Sequence, residues 1–136
     1  MTPPEWDWAV VDPKDPTPLH AQLERSVRVA VASRRLKPGD QLPTVRQLAV
    51  ALRLNANTVA KVYSNLERAG AVETRRGVGT FIADRHDSAR NQAARASEIR
   101  AVALRALADA DARGFTAADL RRELQSIWKE QRRDHE

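Results

Sequence analysis

Three small polar residues, Asn55, Asn57 and Thr58, open the stretch NANTVAKVYSNLERAG, whose other side carries Val59, Val62, Tyr63 and Leu66. An asparagine amide offers a donor and an acceptor in one plane, the pair that matches an adenine edge in the DNA major groove. Asn and Thr also accept hydrogen bonds from the unpaired N–H groups of a helix's first turn. Cap and reading head are therefore both open for this start. With the apolar side turned inward, Asn57, Lys61 and Ser64 share the outward stripe at i, i+4 and i+7, with Thr58 beside them. A recognition helix brings its N-terminal residues to base edges. Asn57 is then the leading candidate for a bidentate adenine contact, Asn55 for capping and phosphate contact, Thr58 for a phosphate or a thymine methyl, and Lys61 for a phosphate.

The charge balance points the same way once its position is considered. Residues 44–82 hold six basic side chains (Arg46, Arg53, Lys61, Arg68, Arg75 and Arg76) against Glu67 and Glu73, so six minus two, +4, of the chain's +5 lies in this stretch. Arg46 falls in the first turn of a short helix, where a cation opposes the helix dipole unless a phosphate or base lies nearby; the alternative is a surface arginine whose stem covers apolar groups. Strand alternation sends Arg75 and Arg76 to opposite faces, so only one of them meets a common partner.

Other chemistries find little support. The 136 residues fit one ordinary domain or a small one with an appendage. Cysteine is absent, which excludes disulfides, thiolate zinc sites and cysteine catalysis, and His20, His86 and His135 are scattered. GVGT lacks the Lys-Ser/Thr that completes a phosphate-cradling loop. Asp109, Asp111 and Asp119 lie in an alanine-rich helical tail and read as solvated surface. No catalytic residue, metal site or cofactor is expected, and the chain is not read as an enzyme. No apolar run approaches the roughly 18 residues of a membrane span. The start lacks the basic and apolar regions of a signal peptide, and a cytoplasmic location without membrane contact is expected.

The elements that must position these residues follow from period and punctuation. In the leader WDWAVVDPKDPTP, Val10 and Val11 suggest a short strand, and Trp6 and Trp8 cover a hydrophobic surface. A first helix starts with Thr17 as cap and Pro18 at its first position, with Leu19, Leu23, Val27, Ala30 and Val31 inward, and ends before Lys37-Pro38-Gly39-Asp40. Thr44 and Gln47 make a capping box for a second, short helix with Val45, Leu48, Ala49 and Leu52 inward. The third helix starts after Asn55 and closes at Ala69-Gly70. AVETRR and TFIAD then read as two strands around a glycine-flanked tip. Residues 88–112 form a long helix with Ile99, Val102, Ala103, Ala106, Leu107 and Ala110 in one stripe, stopped by Gly114. Thr116 to Asp119 cap a last helix with Leu120, Leu124, Ile127, Trp128 and Gln131 inward. The fold class is α+β, mainly α: residues 1–16 an extended N-terminal arm, 17–85 a winged helix-turn-helix, and 86–136 a C-terminal helical hairpin for dimerisation.

The run PGDQLPTVRQLAVALRLNANTVAKVYSNLERAGAVETRRGVGTFIA resembles the DNA-binding domain of GntR-family transcription regulators. That pattern has Pro-Gly, Leu-Pro-x-x-Arg-x-Leu-Ala, a helix turn with Thr-Val, and a Gly-x-Gly-Thr-Phe wing. The short two-helix tail looks like the YtrA subfamily. The resemblance implies a homodimer on a palindromic operator of double-stranded DNA, acting as a repressor. It implies DNA contacts at Arg46, at Asn55, Ala56, Asn57 and Thr58, and at Arg76 and Gly77. Ala56 departs from the arginine many relatives carry, so their base preference does not transfer. Dimer contact is expected at Leu107, Leu124, Ile127 and Trp128, the alternative being that these cover their own winged helix. A small-molecule effector is possible, but a two-helix hairpin offers little room for a pocket of roughly 300 Å³. The other reading is a winged helix used as a protein-interaction or architectural module, with its basic stripe merely solvated.

Overall fold

In the computed structural model, which describes residues 4–84 and 92–133, the three helical periods become α1 (Leu19–Ala32), α2 (Val45–Leu52) and α3 (Ala56–Arg68). They are followed by β1 (Val72–Arg75) and β2 (Gly79–Ile82), then by α4 (Gln92–Ala112) and α5 (Ala117–Arg133). Helix, helix, helix, hairpin is the winged-helix order that the sequence predicts. The chain divides into two units, Met1–Arg85 and His86–Glu136.

In the first unit α3 is the common neighbour, in contact with α1, α2 and β1. Leu23 and Val27 of α1, Leu48 of α2, Val59, Val62 and Leu66 of α3, and Ile82 of β2 are all but sealed from solvent. Each such side chain stabilises the fold by about 1.5–3 kcal/mol through burial. Tyr63 adds a directed bond, its hydroxyl donating to the buried Pro43 carbonyl at 2.6 Å. Burial also raises its pKa well above the usual tyrosine range, so it stays a donor at any ordinary pH.

The capping box of α2 forms as expected. The Gln47 N–H donates to Thr44 Oγ1 at 3.1 Å, and the Thr44 N–H to Gln47 Oε1 at 2.9 Å. The start of α1 differs from expectation. Pro18, not Thr17, is the cap, its carbonyl accepting the Gln22 N–H at 3.0 Å. Asp15 has captured Thr17 instead: its carboxylate accepts from the Thr17 N–H at 2.8 Å and from the hydroxyl, and is held below the usual carboxylate range by those two bonds.

Nor is the leader an extended arm with a strand. Pro4–Trp6 make a turn of 3-10 helix, and Val10 and Val11 pair with no strand. Two polar side chains of α1 replace the missing partner. Ser26 Oγ donates to the Val10 carbonyl at 2.8 Å, while the buried Gln22 amide both accepts from the Asp12 N–H at 2.7 Å and donates to its carbonyl at 3.0 Å. An amide side chain here does what a neighbouring backbone would do, and it holds Trp8 and Ala9 in the core.

The second unit is a helical hairpin, of which α4 is described from Gln92; its expected start at Ser88 lies outside the described residues. Gly114, at φ +83, ends the turn after α4. A capping box opens α5, the Asp119 N–H donating to Thr116 Oγ1 at 3.1 Å and the Thr116 N–H to Asp119 Oδ2 at 2.8 Å. The bonds to Thr116 keep the Asp119 carboxyl below its ordinary range. The expected inward face is not inward: Leu124 is 58% and Trp128 51% exposed, Leu107 39%, with Leu120 and Ile127 half-buried. The apolar stripe is wider than the contact between the two helices of the hairpin. Gln131's side chain lies outside the described residues.

Replacing Tyr63 by Phe removes the donor and strands the buried Pro43 carbonyl. Tyr63→Phe should cost about 1–3 kcal/mol in urea unfolding. Trp8→Ala should cost about 3 kcal/mol in the same measurement, because the indole belongs to the core and not to a free arm.

Candidate nucleic-acid interface

The start of α3 is built as the sequence suggests. Asn55 is the cap, its Oδ1 accepting the Asn57 N–H at 2.8 Å while its carbonyl accepts the Thr58 N–H at 3.0 Å. That bond spends the Asn55 side-chain oxygen on the helix and leaves the Asn57 amide uncommitted. Asn57, Lys61 and Ser64 are exposed, opposite the buried Val59, Val62, Tyr63 and Leu66. Thr58 is only half-exposed, lying at the border of that stripe. Ala56 is exposed and its methyl leaves the N-terminal end of the helix open.

Electrostatics favour an anion at this end. Neither α2 nor α3 has an acidic residue in its first turn, so the positive ends of both helix dipoles are uncompensated. Arg46, the second residue of α2, is exposed. Among the described residues no hydrogen bond or ion pair engages the side chains of Arg46, Lys61 or Arg76. Arg53 likewise has no side-chain hydrogen bond or ion pair among the described residues, whereas Arg68 donates to Asn65 Oδ1 at 3.4 Å and Arg75 to Glu73 Oε1 at 2.9 Å.

The wing resolves the pair of arginines differently from simple alternation. Arg75 is the last residue of β1, pairs across to Gly79, and lays its guanidinium 4.3 Å from the centre of the Phe81 ring. Arg76 has already left the strand. It occupies the tip, where the Val78 N–H donates to the Arg75 carbonyl at 2.9 Å and Gly77 takes a φ of +76, the left-handed value that glycine supplies in a turn. One arginine is held by the protein and the other stands exposed at the tip, so the position of the turn decides between them.

Two features escaped the sequence reading. Arg53 ends α2 in the left-handed conformation at φ +57, which a side chain disfavours by roughly 1 kcal/mol. Gln41 lies against β2 through a bridge to Phe81. Neither has a signal in residue type or spacing. Among the described residues no group of three or more His, Asp or Glu is placed to hold a metal ion, and no helix is long and apolar enough to cross a membrane.

In the second unit, Leu107, Leu124 and Trp128 do come together, with Ala103, Ala106 and Leu120, along an open apolar groove of about 800 Å³. Ile127 is not among its lining residues. The groove is open rather than enclosed, so it does not decide the expectation that a two-helix hairpin offers little room for a pocket.

Residues 19–82 match the model of the gntR family of bacterial regulatory proteins. The HTH-type transcriptional repressor YtrA of Bacillus subtilis is 43% identical over 74 residues, 54% of this chain and 57% of that protein. The chain thus spans little more than half the length of that relative. The HTH-type transcriptional regulator Rv1152 of Mycobacterium tuberculosis is 44% identical over 121 residues, covering 89% of this chain and 94% of that one. Among solved structures, YtrA from Sulfolobus acidocaldarius, a GntR-family transcription factor, superposes with a TM-score of 0.55 at 30% identity, over 74% of this chain and 97% of that one. Motif, fold and near full-length similarity agree, and the chain belongs to the gntR family of bacterial regulatory proteins.

Proposed function

We propose that the chain is a sequence-specific DNA-binding transcription regulator that acts as a homodimer and represses by occupying a palindromic operator in the cytoplasm. One observation carries the reading: α3 exposes the Asn57, Lys61 and Ser64 stripe, and the exposed cations Arg46 of α2 and Arg76 of the wing tip have no protein partner among the described residues. In this reading the N-terminal end of α3 enters the major groove. Asn57 pairs with an adenine edge, a contact worth about 1–3 kcal/mol of discrimination. Asn55, Thr58 and Lys61 hold phosphates, Ala56 admits the backbone close to the groove, and Arg46 and Arg76 with the Gly77 backbone fix register. No reaction is assigned to the chain. Repression is supported by similarity to the transcriptional repressor YtrA of Bacillus subtilis.

A monomer makes too few base contacts for specificity, and phosphate binding alone is weak and sensitive to salt. The exposed Leu107, Leu124 and Trp128 supply a dimer seam, with Ile127 at its edge. Two copies then address half-sites roughly 34–36 Å apart or at multiples of that spacing.

In fluorescence anisotropy with DNA from the upstream region of its own gene, Asn57→Ala should lower affinity for the specific site at least tenfold while leaving nonspecific binding nearly unchanged. Arg46→Ala should weaken both and reduce the salt slope by about one per lost phosphate contact. Full-strength, sequence-dependent binding by the Asn57→Ala, Arg46→Ala double variant would sink the proposal and favour the interaction-module reading. Sedimentation equilibrium should find a dimer, and Trp128→Glu should shift it to monomer and weaken operator binding; a dimer untouched by that charge places the seam elsewhere.

A further inference from the structure

We infer that Gln41 is a positioning residue that holds the wing tip in its DNA-binding geometry, an inference that rests on Arg76 meeting DNA as proposed above. The segment before α2 forms a third edge of the wing. The Gly39 N–H donates to the Ile82 carbonyl at 2.9 Å, the Ile82 N–H to the Asp40 carbonyl at 2.9 Å, and the Leu42 N–H to the Thr80 carbonyl at 2.8 Å. Gln41 sits between these bonds, and its side chain reaches further along β2 than its backbone does. Its Nε2 donates to the carbonyl of Val78 at 3.1 Å. Val78 lies beyond the last strand pair, Arg75 with Gly79, and therefore belongs to the tip itself.

The site is shaped for this contact. Gly79 has a φ of +144, and a Cβ there would overlap the Gln41 amide. The missing side chain gives the glutamine its place against the strand. The tip residues 76–78 are otherwise exposed and turn through Gly77. Fixing the backbone of each such residue costs roughly 1–2 kcal/mol of entropy at the moment of binding if it has not been fixed beforehand. The Gln41 bond fixes Val78 before DNA arrives.

The same contact connects the wing to the recognition helix. Gln41 precedes Leu42 and Pro43, both buried, and the Pro43 carbonyl takes the Tyr63 hydroxyl from α3. The path from α3 to the tip is thus Tyr63, Pro43, Gln41, Val78, with a hydrogen bond at each non-covalent step. Gln41 acts through Arg76 by setting where the tip stands relative to α3.

The test is a double-mutant cycle on operator affinity, with Gln41→Ala made in the wild-type and the Arg76→Ala backgrounds. In the wild-type background the loss should be about three- to tenfold, the worth of one hydrogen bond, with the melting temperature nearly unchanged because Gln41 is exposed. Gln41→Glu, which keeps the size but cannot donate to Val78 and adds a negative charge near the wing, should lose at least as much. In the Arg76→Ala background the effect of Gln41→Ala should nearly vanish, since the group it positions is gone. Equal losses in both backgrounds, or no loss in the wild type, overturn the inference. A separate readout isolates the tie from its use: in the free protein, amide exchange at Val78 should quicken in Gln41→Ala. Quickened exchange with a silent Arg76→Ala would overturn the wing's DNA contact and, with it, the role of Gln41, while leaving the tie itself established.

Discussion

The hydroxyl of Tyr63 donating to the carbonyl of Pro43 joins the helix that presents the exposed polar stripe to the loop that starts its neighbour. Val59, Val62 and Leu66 drive α3 into the core, but hydrophobic burial is non-directional and tolerates rotation of a helix about its axis. A hydrogen bond in a dry site does not tolerate it, because a turned ring would leave a buried carbonyl unpaired. Everything proposed for the stripe depends on that constraint. Asn57 and Lys61 have a defined aim only because the opposite face of the same helix is pinned at one rotation.

Polar groups in this unit divide into those spent on structure and those left over. Gln22 and Ser26 are spent on the N-terminal segment, Thr44 and Gln47 on α2, the Asn55 oxygen on α3, and Arg75 on Glu73 and the Phe81 ring. Among the described residues the side chains of Asn57, Lys61, Arg46, Arg53 and Arg76 are left over. A modest surplus of positive charge acquires meaning through this division: committed cations are screened by their partners, whereas uncommitted ones keep their full field for a phosphate. The first turns of α2 and α3, both without acids, add their dipoles to the same sign.

The hairpin of α4 and α5 poses the opposite problem. The start of α5 is well satisfied by the Thr116 and Asp119 box, yet long apolar side chains of the hairpin stand in solvent, Ile99, Leu124 and Trp128 each more than half exposed. In the proposed dimer these apolar side chains are the contact surface. The division of labour in the proposed dimer follows: the first unit completes its own core and offers polar groups outward, and the second offers the apolar ones.

Much of this was legible in the residues. The capping boxes at Thr44 and Thr116, the Asn55 cap, the inward face of α3 and the glycine closures are local chemistry, decided within one or two turns of chain, and the sequence determines them by itself. It missed the start of α1 because the Thr17 hydroxyl could either accept from the first turn of the helix or donate to Asp15, and nothing in the spacing says that Asp15 wins. It expected Val10 and Val11 in a strand because Gln22 and Ser26, ten and more residues away, do not announce that they will stand in for one. Periodicity also marked Leu124 and Trp128 as inward, since a pattern reports which side is apolar and not what will cover it. Only the tertiary structure decided which arginine of the wing is held and which is free, and that Gln41 reaches the tip. These are long-range pairings, and their partners are brought together by the packing of the core rather than by their place along the chain.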